Sequence, residues 1–167
     1  NGIDKIFAKI GNMPVVAKTI SAFESLKEIS KIVIVTKEES ILPMQKLCDE
    51  YNFKKVSDIV VGGNCREESV YNGFKMLIDE EQIVLIHDGA RPLVTKEIIE
   101  KTISACIKTG CAAAGVKSKD TIKTISADNC IASTVDRNSA ILIQTPQGFE
   151  RSIIKSAYEK FGFSQTD

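Results

Sequence analysis

The feature that most restricts this chain is a succession of short runs that are apolar at nearly every position. KIVIVT (31–36), IVV (59–61), IVLIH (83–87) and CAAAGV (111–116) are each bounded by polar or glycine-containing segments. A strand without polar alternation has both faces covered, as in a parallel sheet lying between helices. The intervening segments supply those helices. Val16, Ile20, Phe23 and Leu26 recur at three- and four-residue intervals over 14–29, with Pro14 suited to the first turn. Residues 39–50 predict a second helix, with Pro43 near its start. Val70, Phe74, Leu77 and Ile78 mark a third over 66–78, and Ile99, Ile103 and Ile107 a fourth over 95–107. Ile153, Ile154, Ala157, Tyr158 and Phe161 mark a fifth over 152–161. Strands alternating with helices predict an α/β fold: a mostly parallel sheet, helices on both faces and right-handed crossovers.

Residues 120–147 break this rhythm. TIKTIS, IASTV and AILIQT alternate polar and apolar residues, with a DN turn between the first two. They predict antiparallel excursions, a β-arm within 120–150 that projects from the body. There is no repeat and no linker, so residues 1–167 read as one domain.

Composition closes off several function classes. With 22 basic and 22 acidic residues the net charge is 0, which argues against the basic face that non-specific nucleic-acid binding requires. No apolar run approaches the roughly 18 residues of a membrane span. The 43% hydrophobic content argues against disorder. The five cysteines (Cys48, Cys65, Cys106, Cys111 and Cys130) are scattered without C-x-x-C spacing. They suggest neither a zinc site nor a disulfide framework, and reduced thiols in a cytoplasmic protein are the expectation.

In open α/β sheets ligands bind beyond the carboxyl ends of the strands. That directs attention to GGNCREES (62–69), HDGARP (87–92) and VKSKDT (116–121). Gly62 and Gly63 permit close backbone approach, the following helix start offers free N–H groups, and Ser69 lies one turn in, within reach of a base or sugar. The spacing matches neither a Walker loop nor a G-x-G-x-x-G fingerprint, and an ordinary tight turn accounts for it equally well. Asp88, directly after an apolar strand, can accept hydrogen bonds from hydroxyls or hold a metal ion. Arg91 supplies a planar fork suited to phosphate. An Asp–Arg pair that merely caps the strand end explains the same residues. His87, the only histidine, lies on the apolar strand and reads as a packed residue rather than a general base. Lys5, Lys9, Lys117, Lys119 and Lys123 read singly as solvated charges. Thr134, Arg137, Thr145, Gln147 and Arg151 fall near the proposed arm, where turn chemistry accounts for TVDRNSA and TPQGFER.

Taken together and in order, GGNCREESVYNGF, LIHDGARPLV, KDTIK, TVDRN and TPQGF resemble the 2-C-methyl-D-erythritol 4-phosphate cytidylyltransferases of non-mevalonate isoprenoid biosynthesis. The resemblance runs from Lys5 to Asp167. TVDRN followed by TPQ-x-F favours this family over the related ribitol-5-phosphate cytidylyltransferases. A truncated, non-catalytic nucleotide-binding or assembly domain is the alternative of a different class.

The resemblance implies a nucleotidyltransferase-like sheet whose β-arm clasps a second subunit in a homodimer. It implies CTP and methylerythritol phosphate as substrates, with Mg2+. It assigns Gly63, Asn64 and Ser69 to the cytosine pocket and Gly89 to the CTP ribose. Asp88 would face the sugar alcohol, with Arg91 close by. Thr134 and Arg151 would reach the substrate phosphate of the neighbouring subunit. Lys5 would be the catalytic lysine, although the family's P-K-Q is D-K-I here. The family also has a strand and an Arg-bearing Gly-rich loop ahead of this lysine, and a further strand and lysine beyond the position of Asp167. Neither basic residue has a counterpart in these 167 residues, which predicts poor CTP binding for a polypeptide limited to them.

Overall fold

The computed structural model describes residues 5–77 and 82–162. A small antiparallel ladder, β1 (Lys9–Ile10) with β2 (Met13–Pro14), leads into α1 (Val15–Glu24). β3 (Ile32–Thr36), α2 (Ile41–Glu50), β4 (Val56–Val61), α3 (Arg66–Phe74) and β5 (Ile83–Ile86) follow. Then come α4 (Lys96–Thr109), β6 (Cys111–Lys117), β7 (Ile122–Ile125), β8 (Ile131–Val135), β9 (Ile141–Glu150) and α5 (Arg151–Phe161). From α1 onward the order is that expected from the sequence, the β1–β2 ladder is not expected from it, and Ile78 of the predicted third helix lies outside the described residues.

Helix α1 stops five residues before its expected end. The Glu24 carboxylate is drawn away to accept the backbone N–H groups of Lys54 (2.7 Å) and Lys55 (3.1 Å), and the Lys55 ammonium donates to the Leu26 carbonyl. The chain beyond turns through Leu26 N–H to Phe23 O and Ile29 N–H to Leu26 O, which still leaves Leu26 fully buried.

The expectation of a mostly parallel sheet needs correction. β3 and β4 pair in parallel, with Val35 opposite Val60 and Thr36 opposite Val61. β9, however, lies between β5 and β6 and runs antiparallel to both. TPQGFE reads as a strand end because of Pro146, yet β9 continues through it. The ladder with β6 skips at this point, since Ala113 opposes Gln147 but Gly115 opposes Ile143. Pro146 thus sits opposite a bulge, where its missing N–H is not needed. β7 and β8 form the separate antiparallel hairpin predicted for this region.

Helices do cover both faces. On β5, Leu85 packs against Phe23 of α1 and Ile99 of α4, whereas Val84 and Ile86 pack against Phe74 of α3 and Ile154 of α5. On β3, Ile32 and Ile34 meet Val16 and Ile20 of α1 and Met44 and Leu47 of α2. Val33 and Val35 meet α3 on the other side, at Gly73. β3 and β5 are not hydrogen-bonded to each other among the described residues. Their facing edges border the cavity described below.

Two features of this packing make predictions. A Cβ at Gly73 would lie 2.7 Å from Val35 Cγ2. Overpacking costs about 1–3 kcal/mol, against a helix-propensity gain near 1 kcal/mol. Gly73→Ala should therefore lower the urea midpoint, and Val35→Ala in that background should recover part of the loss.

His87 is packed 5.0 Å from the Phe23 ring, and its Nε2 lies 3.2 Å from the Arg91 carbonyl. Its Nδ1 is buried without a hydrogen-bond partner among the described residues. Burial holds its pKa below the ordinary histidine value, so the unfolded chain binds the proton more readily. The stability this supplies is complete above pH ~6.5 and is lost as pH falls towards the lower folded value. Urea midpoints should decline between pH 7 and 6 in the wild type and stay flatter in His87→Gln.

Candidate active site

One cavity of about 720 Å³ runs along the facing edges of β3 and β5, lined by residues 31–37 and 83–89 and by apolar side chains of α1 and α3, and three strand ends meet at one end of it. β3 delivers Thr36, β4 runs into Gly62-Gly63, and β5 runs into His87-Asp88-Gly89, all of which line it. The Gly62 N–H donates to the Thr36 carbonyl at 2.8 Å, so the glycine turn is pinned to the end of β3.

The turn from β4 into α3 is compact because both glycines are crowded. A Cβ on Gly62 would lie 2.9 Å from Ser69 Oγ, and one on Gly63 would lie 2.2 Å from Glu68 Cγ. Ser69 Oγ donates to the Cys65 carbonyl (2.8 Å) and accepts the Gly63 N–H (3.0 Å). Glu68 accepts both the Asn64 backbone N–H (2.7 Å) and Asn64 Nδ2 (3.1 Å). Cys65 caps α3, its Sγ accepting the Glu68 N–H at 3.4 Å. Ser69 thus lines the cavity while its hydroxyl braces the loop. Gly63 and Asn64 are held in one shape beside the opening, next to a helix N-terminus that favours negative charge.

Asp88 faces this loop across the cavity. Its backbone N–H donates to Thr145 Oγ1 at 3.3 Å. Its carboxylate accepts from Arg91 Nε at 2.8 Å and lies 3.8 Å from Arg66 Nη2. Arg91 also donates to Gln144 Oε1 of β9. Asp88 is therefore a half-exposed carboxylate flanked by two guanidinium groups, one from each of the facing loops. Thr19 of α1, which is buried, donates to the Gly89 carbonyl at 2.9 Å and so fixes the loop from below.

The structure thus gathers Gly63, Ser69, Asp88 and Gly89 around one space. Asn64 flanks it through Glu68, and Arg91 through Asp88. Lys5 is exposed in the turn before β1, and its neighbour Ile6 lines the cavity. Thr134 and Arg151 stand elsewhere and apart. Thr134 is on β8, accepting from Lys123 Nζ at 2.6 Å. Arg151, at the start of α5, has its guanidinium 4.9 Å from the centre of the Phe74 ring and donates to the Leu77 carbonyl at 3.1 Å.

Sequence reasoning passed over Arg66, Thr19 and Gln144. Arg66 had a usable signal: a basic residue at the first position of a helix that follows a glycine pair. Thr19 and Gln144 had none, because their partners are distant in the chain.

No group of three or more His, Cys, Asp or Glu side chains capable of holding a metal ion occurs among the described residues. Asp88 offers one carboxylate at the cavity. That donor set fits a cation carried in on a phosphate ligand, with Asp88 adding at most one ligand, rather than a protein cage.

The 2-C-methyl-D-erythritol 4-phosphate cytidylyltransferase family model matches residues 1–167. A protein of that name from Dehalococcoides mccartyi is 42% identical over 166 residues, covering 99% of this chain and 73% of its own length. Its Clostridium botulinum namesake is 42% identical over 160 residues, covering 96% of this chain and 70% of its own. Among solved structures, 4-diphosphocytidyl-2C-methyl-D-erythritol synthase from Anaerococcus prevotii superposes with a TM-score of 0.86 at 33% identity, covering 95% of this chain and 70% of that one. The family match over the whole chain, with relatives at this identity, shows that this chain belongs to the 2-C-methyl-D-erythritol 4-phosphate cytidylyltransferase family.

Proposed function

We propose that the cavity between the 62–69 and 87–91 loops transfers the cytidylyl group of CTP to 2-C-methyl-D-erythritol 4-phosphate, releasing pyrophosphate. The observation that carries this reading is Asp88 held between Arg66 and Arg91 opposite a crowded glycine turn. Such a turn offers backbone groups and a helix N-terminus to a nucleotide. A carboxylate fixed by two cations accepts hydrogen bonds from polyol hydroxyls without leaving a net negative charge in the path of phosphates.

The nucleophile is an oxygen of a phosphomonoester, whose second pKa is about 6, so it is largely dianionic at neutral pH. No general base is required. The oxygen attacks the α-phosphorus of CTP, a P–O bond forms to the polyol phosphate, and the bond to the departing pyrophosphate breaks. The obstacle is the approach of two polyanions, so positioning and cationic side chains carry the catalysis. Gly63, Asn64 and Ser69 shape the cytosine side, Gly89 the ribose side, and Asp88 with Arg91 the polyol side. Lys5 is the proposed source of positive charge at the transferring phosphoryl group. Asp88 is the carboxylate that would help hold Mg2+, which when bound would supply positive charge to offset the triphosphate. No covalent enzyme intermediate arises, so no cysteine is needed. Cys65 is spent on capping α3.

The hairpin of β7 and β8, with the outer part of β9, exposes Ile125, Ile131, Ile141, Leu142 and Ile143 together with Val116 of β6. Exposed apolar side chains in this number favour burial against a partner, and a second copy of this chain is the partner proposed, in a cytoplasmic homodimer. Thr134 then lies on the element that reaches the neighbouring subunit. Arg151 would serve that subunit's phosphate only after leaving Phe74 and the Leu77 carbonyl.

Asp88→Asn should reduce kcat/KM for the polyol phosphate about 10- to 100-fold, or roughly 1.4–2.7 kcal/mol of barrier, with the KM for CTP little changed. A pyrophosphate-release assay, with ribitol 5-phosphate as the comparison substrate, checks both the loss and the choice of alcohol. Ile131→Glu should shift the sedimentation coefficient towards that of a monomer. Unaltered sedimentation would remove the hairpin from the interface.

A further inference from the structure

We infer that Tyr158, on α5 and remote in sequence from every nucleotide-site segment, is a positioning residue for the CTP-binding loop. This rests on the reading that Gly63, Asn64 and Ser69 form the cytosine side of the site.

Helix α5 grips α3 at both ends. At the far end Arg151 packs on Phe74 and donates to the Leu77 carbonyl at 3.1 Å. At the near end Tyr158 donates its hydroxyl to the Glu67 carbonyl at 3.1 Å. Glu67 is the second residue of α3, two positions after its cap, so this bond fixes the helix at the turn from which the glycine loop departs. The Tyr158 ring lies 4.8 Å from that of Tyr71 and 6.3 Å from that of Phe74, and Ile154 seats the helix in the same apolar cluster. Burial raises the phenol pKa above its ordinary value, so the hydroxyl remains a donor throughout the neutral range.

Beyond the Gly62 bond to the end of β3, the loop is held by α3. Gly63 hangs on Ser69, Asn64 on Glu68, and Cys65 on the Glu68 N–H. A small rotation or slide of the first turn of α3 therefore carries all three loop residues with it. Bracing by a hydroxyl aimed at Glu67 opposes that movement. The apolar contacts of Ile154 secure α5 as a whole but do not address the first turn of α3. Tyr158 thus acts on nucleotide affinity by way of Glu67 and touches no substrate.

Tyr158→Phe keeps the ring and removes only the hydroxyl. In the full-length protein, the KM for CTP should rise about five- to tenfold, while kcat stays within about twofold and the KM for methylerythritol phosphate is unmoved. Ile154→Val, which loosens the same helix, should lower the melting temperature without shifting the KM for CTP. Cys65 gives a readout independent of catalysis. In a Cys111→Ser/Cys130→Ser background, iodoacetamide should modify Cys65 several-fold faster once Tyr158 is Phe. An unchanged KM for CTP, a parallel change in all kinetic constants, an equal effect from Ile154→Val, or an unaltered rate at Cys65 would each overturn the inference. A wild-type protein that releases no pyrophosphate from CTP would instead defeat the functional reading, leaving the Cys65 rate to decide this one.

Discussion

Strand β5 is packed on both faces, and that constraint sets where the rest of the site can be. Leu85 belongs to the α1/α4 side, while Val84 and Ile86 belong to the α3/α5 side. A strand so enclosed cannot slip by one residue without inverting all of these contacts. Its end is therefore fixed, and the next residues, His87, Asp88 and Gly89, emerge at a defined point. β3 is constrained in the same way by Ile32 and Ile34 on one side and the Gly73 contact on the other. The cavity lies between these two rigid edges, and loops supply its chemistry.

Magnitudes separate what holds the fold from what tunes the site. The Asp88 pairs with Arg66 and Arg91 are 40–44% exposed, and pairs of this kind contribute about 0–1 kcal/mol each. Burying a large apolar side chain such as Leu26 or Ile99 contributes roughly 1.5–3 kcal/mol. The arginines therefore add little to stability. Their effect is to keep a carboxylate oriented and charge-compensated where phosphates must approach. Partial exposure leaves that cluster able to exchange partners when substrate arrives, which a buried ion pair could not do cheaply.

Much of this was legible in the sequence, for reasons that can be named. The apolar runs at 31–36 and 83–87 declared strands because both faces of β3 and β5 are packed, whereas the run at 111–116 also forms a strand, β6, although most of its residues are exposed. Asp88 and the glycine pair were legible because strand ends in such sheets face the ligand crevice. The alternation of AILIQT announced an antiparallel strand, but the insertion of β9 between β5 and β6 was not legible, because its partners are distant in the chain, and Pro146 disguised its length. The shortening of α1 was equally hidden, because Glu24 is claimed by a loop thirty residues away. The bracing of α3 by Tyr158 follows from packing that brings residues 67 and 158 together. In the sequence Tyr158 is simply one more member of an amphipathic stripe.

The most direct test of the central claim is backbone hydrogen exchange in the full-length protein, first with CTP alone and then with both ligands. The account predicts that CTP slows exchange across residues 62–69, and that methylerythritol phosphate with a non-hydrolysable CTP analogue extends this to residues 87–91. Protection at neither segment, or protection by CTP confined to elements away from the β3–β5 cavity, would contradict it.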